Sequence, residues 1–142
     1  MVDRITELER GKRACALKNV TLSEDFFTHH FPLQPIMPGA LIVECMVQLA
    51  DWLIRENQNF DSAGLPAAFE TIKFYQLVRP GDQLNLEVEV LDRENGQYRL
   101  SGQAQCAQQL VAAARFTMNL VPATDLQPAE DAKRFFEVIR RT

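Results

Sequence analysis

Two histidines stand side by side at His29 and His30, and a glutamate follows at Glu44. Between them run Pro32, Pro35 and Pro38, then Gly39. Three prolines in seven residues fix φ and forbid a regular ladder, so this stretch is a stiff loop. It ends at Pro38-Gly39, where a long apolar run begins. The histidines therefore lie close in sequence to a helix N-terminus, whose free N–H groups suit developing negative charge. Glu44 falls about one turn into that helix. A carboxylate buried there without a partner costs several kcal/mol, so a partner, a proton or a function must offset it. Base, acid and oxyanion donor are the three roles an active site needs, and this stretch supplies all of them.

The elements that must hold these groups are legible from periodicity. Ala40 to Ile54 contains twelve apolar residues in fifteen, with no Gly or Pro. Its polar members Glu44, Gln48 and Asp51 are spaced by four and three, and Arg55 is four further on. Residues at such offsets share one side of a helix, and an Asp51–Arg55 pair is expected there. The rest of the cylinder is apolar all round, which predicts a buried helix.

Elsewhere the period is two. Leu84, Leu86, Val88 and Val90 alternate with polar residues, Asn95-Gly96 signals a hairpin, and Tyr98, Leu100 and Ala104 resume the pattern. Leu110, Ala112, Ala114, Phe116, Met118 and Leu120 make a third strand, opposite Arg115, Thr117 and Asn119. Further strands are predicted over Arg13 to Val20 and Phe69 to Val78, the latter ended by a Pro80-Gly81-Asp82 turn. An antiparallel sheet wrapped round one long helix is an α+β architecture. After Pro122 to Gln127, Pro128 opens an amphipathic helix with Glu130 and Asp131 in its first turn. Its apolar stripe is Ala132, Phe135, Phe136 and Ile139, closed by Arg140 and Arg141, and it is expected to pack on its own domain or a neighbouring subunit. The expected division is a domain over 1–121 and a linker with helix over 122–142.

Composition narrows the function. The 142 residues are 46% hydrophobic and 24% charged, an ordinary globular balance. Fifteen Lys and Arg against nineteen Asp and Glu give a net charge of −4, which argues against nucleic acid as partner. Met1 to Arg13 is too charged for a signal peptide, and no apolar run approaches the roughly 20 residues a membrane span needs. Cys15, Cys45 and Cys106 are odd in number and show no CxxC pairing. That fits a reducing cytoplasm better than disulfides or a metal site.

The residues also carry a resemblance. His30-Phe31-Pro32-x-x-Pro35-x-Met37-Pro38-Gly39, followed by Glu44-x-Met46-x-Gln48, resembles the FabZ-type 3-hydroxyacyl-[acyl-carrier-protein] dehydratases of the FabA/FabZ family. Val2-Asp3-Arg4 resembles the end of the family's first strand region. Lys18-Asn19-Val20, Phe26-Phe27, Lys73-Phe74 and Arg79-Pro80-Gly81-Asp82-Gln83-Leu84 extend the likeness over roughly residues 2 to 120. The resemblance implies a hot-dog fold, an antiparallel sheet round one long helix. It implies His30 as the base that removes the α-proton and Glu44 as the carboxylate that helps expel the 3-hydroxyl. Gly39 would supply the backbone N–H that polarises the thioester carbonyl. Gln48, plausible as a holder of Glu44, would support the site with Phe31 and Pro38, and Met37 and Trp52 are candidate tunnel walls.

The product of a (3R)-3-hydroxyacyl thioester would be the trans-2-enoyl thioester, in fatty-acid synthesis or a specialised relative of it. The substrate would arrive on the 4'-phosphopantetheine arm of an acyl carrier protein. No cofactor and no metal are implied. The resemblance implies that His and Glu of one site come from different subunits, so a homodimer would be the minimum, with higher assemblies up to a hexamer open.

Several departures accompany the likeness. His29 stands where the family has glycine, and Trp52 stands where it prefers small residues. The family's Leu-Pro-His-Arg segment does not precede Val2, and the C-terminal helix lies beyond the matched region. These features keep two alternatives open: a hot-dog thioesterase, or a silent partner subunit of a dehydratase. Docking an acidic carrier needs a basic patch, for which Arg79, Arg99, Arg134, Arg140 and Arg141 are candidates.

Overall fold

The alternation from Leu84 to Leu120 becomes a three-strand antiparallel meander in the computed structural model, which describes residues 2–24, 35–123 and 129–141. Its strands are β4 (Gln83–Glu94), β5 (Gln97–Cys106) and β6 (Gln109–Pro122). Leu84, Leu86, Val88, Tyr98, Leu100, Ala104, Ala112, Ala114, Phe116 and Met118 are all buried, while Asn85, Glu89, Arg115 and Asn119 are exposed. One face of the sheet therefore takes the apolar half of each strand, as a period of two requires. Asn95 and Gly96 turn with φ of 51° and 75°, the left-handed pair that matches strand twist. Ala107 and Gln108 make the second hairpin in the same conformation, without the residue types that usually signal it.

Three more strands complete one sheet: β1 (Arg4–Glu9), β2 (Arg13–Asn19) and β3 (Ser62–Phe74), in the order β1-β2-β4-β5-β6-β3. Helix α1 (Gly39–Asn57) lies against its apolar face and touches every strand from β2 to β6. This is the sheet wrapped round one helix that the periodicity predicts. Small residues set how closely they approach. A Cβ on Gly102 would come within 3.1 Å of Met46 Sδ, and one on Gly64 within 2.8 Å of Ile54 Cδ1. At the other end of α1, the buried Tyr98 hydroxyl accepts hydrogen bonds from Asn57 Nδ2 (2.8 Å) and Gln58 Nε2 (3.0 Å). Helix α2 (Ala129–Arg141) packs on β1, and its Ala132, Phe136 and Ile139 join the common core.

Four expectations need correction. The strand expected over Phe69 to Val78 runs instead from Ser62 to Phe74, because Gly64 and Pro66 disguise its first half. Proline is tolerated there because β3 is an edge strand and has a neighbour on one side only. Strand β1 begins at Arg4 rather than ending there, its charged sequence reflecting the opposite edge. Phe135 is half exposed, although it belongs to the predicted apolar stripe of α2. Lastly, α1 is not buried all round. Ala40 and Glu44 are exposed and Gln48 and Asp51 partly so, which leaves a polar line open along the helix.

Candidate active site

Helix α1 starts abruptly. Pro38 occupies the N-cap with φ −58° and ψ 138°, and no side chain among the described residues caps the first turn. The Pro38 carbonyl accepts from the N–H groups of Leu41 (3.0 Å) and Ile42 (3.4 Å). Those of Gly39 and Ala40 have no partner among the described residues, as the first turn of a helix dictates. Met37, fully packed in the core, anchors the approach by donating its N–H to the Val78 carbonyl at 2.7 Å. The start of α1 is thereby fixed to the strand-side loop that carries Arg79-Pro80-Gly81-Asp82.

Gly39 has a second reason to be glycine. A Cβ there would sit 2.7 to 3.1 Å from three carbons at the far end of the Phe74 ring. That ring is half exposed and free to swing, so a methyl group moves it at small energetic cost. We expect Gly39→Ala to shift the thermal midpoint by no more than about 3 °C, while turnover falls about tenfold or more as the contacts around the helix start are displaced. Thermal melts beside turnover measurements check the separation; equal loss in both would assign Gly39 to folding alone.

Glu44 lies one turn beyond, on the open line, and is exposed rather than buried. The expected desolvation of this carboxylate therefore does not occur within a single chain. The line continues with Gln48, whose Oε1 accepts the Val2 N–H at 2.8 Å and so fastens the N-terminal segment to the helix. Asp51 comes next. Its Oδ1 accepts the Gly64 N–H (2.8 Å) and its Oδ2 the Arg55 Nε–H (3.0 Å), the pair expected from the i,i+4 spacing. Burial pushes the Asp51 carboxyl above its ordinary range, opposed by these two donors. The neighbouring Cys45 thiol is pushed up to about 11, chiefly by burial, so it is no nucleophile near neutral pH.

Trp52 is buried between the two helices. Its ring stacks on Phe135 with centroids 5.7 Å apart and tilts against Phe136 at the same distance. The Arg55 guanidinium lies 5.6 Å from its centroid. A cavity of about 410 Å³ opens beside this cluster, lined by Gln48, Asp51, Trp52, Arg55 and Phe135. A larger depression of about 520 Å³ lies on the sheet's outer face, among Thr71, Lys73, Glu87, Ser101 and Arg115. Of its two carboxylates, Glu87 is paired with Arg13 at 2.9 Å and Glu89 stands exposed on the outer face of β4.

His29, His30 and Phe31 lie outside the described residues, as do Phe26 and Phe27 and, further on, Pro128. The structure does describe both ends of their segment. At the entry end the Lys18 ammonium, only 6% exposed, is bound at 2.9 Å by the Glu24 carboxylate. Sequence reasoning missed this pair. The signal was available: period two along β2 places Lys18 on the inner face with Ala14 and Ala16. Of the basic residues considered for carrier docking, Arg99 is held by Glu70 at 2.7 and 3.1 Å and Arg140 lies over the Phe136 ring, whereas Arg79 is exposed beside the anchor of Met37.

Comparison with known proteins finds relatives over most of the chain. A family model described as a FabA-like domain matches residues 1–115. The 3-hydroxyacyl-[acyl-carrier-protein] dehydratase FabZ of Caldanaerobacter subterraneus subsp. tengcongensis is 45% identical over 115 residues, covering 80% of this chain and 82% of that protein. The protein of the same name from Bacillus licheniformis is 42% identical over 118 residues, covering 78% and 82%. Among solved structures, a hot-dog-like protein from Thermanaerovibrio acidaminovorans superposes with a TM-score of 0.68 at 22% identity, covering 90% of this chain and 93% of that one. That likeness bears on fold alone. No helix among the described residues is long and apolar enough to cross a membrane.

Proposed function

Because the chain belongs to the FabA-like domain family, we propose that it dehydrates 3-hydroxyacyl thioesters carried on acyl carrier protein, as a hydro-lyase of fatty-acid synthesis. The observation that carries this reading is the 40–45% identity to FabZ dehydratases across most of both chains. The arrangement at the start of α1 supports it. Removing a proton next to a thioester builds enolate charge on the carbonyl oxygen, and a preorganised N–H at a helix start is suited to hold it. Loss of one such donor can cost about 10²–10³ in rate. The Gly39 N–H has that position, and Pro38 leaves no side chain to compete for it.

In this reading His30 takes the α-proton and Glu44 passes a proton to the departing hydroxyl, so water leaves and the trans-2-enoyl thioester remains. Each acid or base group typically contributes about 10²–10⁴. Met37 and Pro38 set the helix start, and Phe31 flanks the base. Gln48 supports the site indirectly, by holding the N-terminal segment against α1. The reaction needs neither metal nor organic cofactor.

A homodimer is part of the proposal. Strand β3 is an edge strand of thirteen residues, and Leu65, Phe69, Ile72, Phe74, Tyr75 and Leu77 along and beyond it are 42–57% exposed. An edge so long and apolar is an aggregation hazard unless covered. A second copy would cover it, and the resemblance implies that this copy supplies the histidine that works with the exposed Glu44. A carrier protein, typically acidic, would approach Arg79 beside the helix start. Residence in the cytoplasm accords with three cysteines, Cys15, Cys45 and Cys106, that form no disulfide with one another.

The test is turnover of 3-hydroxyacyl-carrier thioesters of graded length, followed by mass. Enoyl thioester is the expected product. Free thiol without an alkene would replace the reading with thioester hydrolysis, and no conversion on any chain would leave a partner subunit without activity of its own.

A further inference from the structure

The depression of about 520 Å³ on the outer face of the sheet holds charges of both signs, sorted onto opposite sides. Register fixes the layout. Arg115 on β6, Ser101 on β5 and Glu89 on β4 stand in one row, with Ala113, Gln103 and Glu87 in the next. Lys73 on β3 extends the second row beyond Ala113. Cations therefore line the β3–β6 side and carboxylates the β4 side. At the usual strand spacing Arg115 and Glu89 start roughly 10 Å apart, on either side of β5. Between them the small side chains of Ser101 and Ala113 keep the floor low.

Three of these charges lack a close countercharge. Among the described residues Lys73, Glu89 and Arg115 form no ion pair. Arg13 lies opposite Glu89 in register, but its guanidinium is held by Glu7 and Glu87 at 2.9 Å each. Glu70, on which Arg115 acts at longer range, is bound by Arg99. An unpaired charge on a wet face is ordinary by itself. This set differs because it matches itself under rotation. A half-turn about an axis along β5 exchanges β6 with β4 and keeps each row level. It sets Arg115 of one copy opposite Glu89 of the other, and the reverse contact follows by symmetry, as an isologous interface requires. The same turn brings Glu87 of the second copy over Ala113, beside Lys73. We propose that this trough is an interface at which two copies of the chain pack sheet against sheet, with Arg115 and Glu89 exchanged about β5.

The small residues matter as much as the charges. Packed sheets lie about 10 Å apart, and long side chains meeting on the axis would hold them away. Ser101 is the axial residue of the first row, and Ala113 lies beneath the incoming Glu87. Aligned sheets cross at roughly 30°, which confines close contact to these central rows. Arg99 also stands on β5 and meets its own copy at the rim, where each is neutralised by its own Glu70. The contact uses none of the β3 edge. It therefore joins pairs built through that edge into larger particles, since each pair presents two troughs.

Sedimentation of the full-length protein at low salt, over a range of concentrations, tests this. The expected wild-type species is larger than a pair, and about 1 M salt, with a Debye length of about 3 Å, should weaken it. Arg115→Glu should raise the concentration needed for that assembly by about 10²-fold or more, because like charges then face one another twice. Glu89→Arg should act in the same way. Both residues are exposed, so the variants keep the fold. The two changes together put opposite charges in exchanged places and should recover most of the wild-type assembly. A size unchanged by Arg115→Glu would overturn the proposal, whatever that size is. So would a double variant as dispersed as the single ones, which would leave the trough to an occupant other than a second copy. A wild-type pair that Arg115→Glu splits into monomers would keep the trough and remove the β3 edge as the place where copies meet.

Discussion

Glu44→Gln should abolish dehydration by at least about 10²-fold while leaving the fold unmoved. The carboxylate is exposed in the single chain, so the amide replaces it without burying a new polar group. A thermal midpoint within about 2 °C of the wild type is expected, since surface substitutions seldom exceed 0.5 kcal/mol. His30→Ala should lose activity on the same scale. The informative experiment mixes the two inactive proteins after partial denaturation and refolding. If each site takes His30 from one subunit and Glu44 from the other, mixed pairs contain one intact site and recover about a quarter of the wild-type rate. Recovery fails if each chain supplies both groups. Retention of most turnover by Glu44→Gln would remove that residue from the chemistry altogether.

The second large effect is on stability. Glu24→Gln should lower stability by about 3 kcal/mol, because it strands the buried Lys18 ammonium without a countercharge. For a chain of this size that corresponds to a fall in thermal midpoint of roughly 6–12 °C. The reverse change, Lys18→Met, should cost much less. The Glu24 side chain keeps 21% exposure and can turn to water, whereas the lysine cannot. Combining both substitutions should recover part of the loss, since the stranded charge is then gone. Denaturant melts of the three variants give the coupling energy directly. Equal costs for the two single changes would mean that the pair contributes through packing and not through its buried charge.

Where one face of an element is buried and the other wet, the sequence showed it plainly. The meander from β4 to β6 and the Asn95-Gly96 turn follow from alternation and from residues that tolerate positive φ. The Asp51–Arg55 pair follows from helical spacing. Misreadings cluster where tertiary context overrides local signal. Pro66 and Gly64 argue against a strand, yet an edge with a single neighbour admits both. Ala107-Gln108 turns with positive φ because register between β5 and β6 demands it, not because those residues prefer it. The end of α1 is similar. Asn59 and Phe60 take left-handed conformations with no glycine present, and Phe60 is held there by packing on Phe136. Glu44 departs from expectation for another reason: twelve apolar neighbours predict a buried cylinder, but one line of α1 faces outward in the isolated chain. Periodicity reports which side of a helix is polar, and not whether another molecule will later cover it.

The two borders of the sheet are built on opposite plans. Strand β1 has six residues, a register shift between Ile5 and Glu7, exposed charges at Arg4 and Glu9, and α2 packed on it. Each of these discourages a further strand from adding. Strand β3 is twice as long and lined with uncovered Phe, Leu and Ile. Growth of the sheet can therefore begin from one border only. Two copies meeting there about a two-fold axis would use up both available borders, and the joined sheet would end at each side in a β1 that refuses extension. Such an assembly would be self-terminating: adding more protein would make more pairs, never a longer ribbon, and larger particles would have to form through other faces of the molecule.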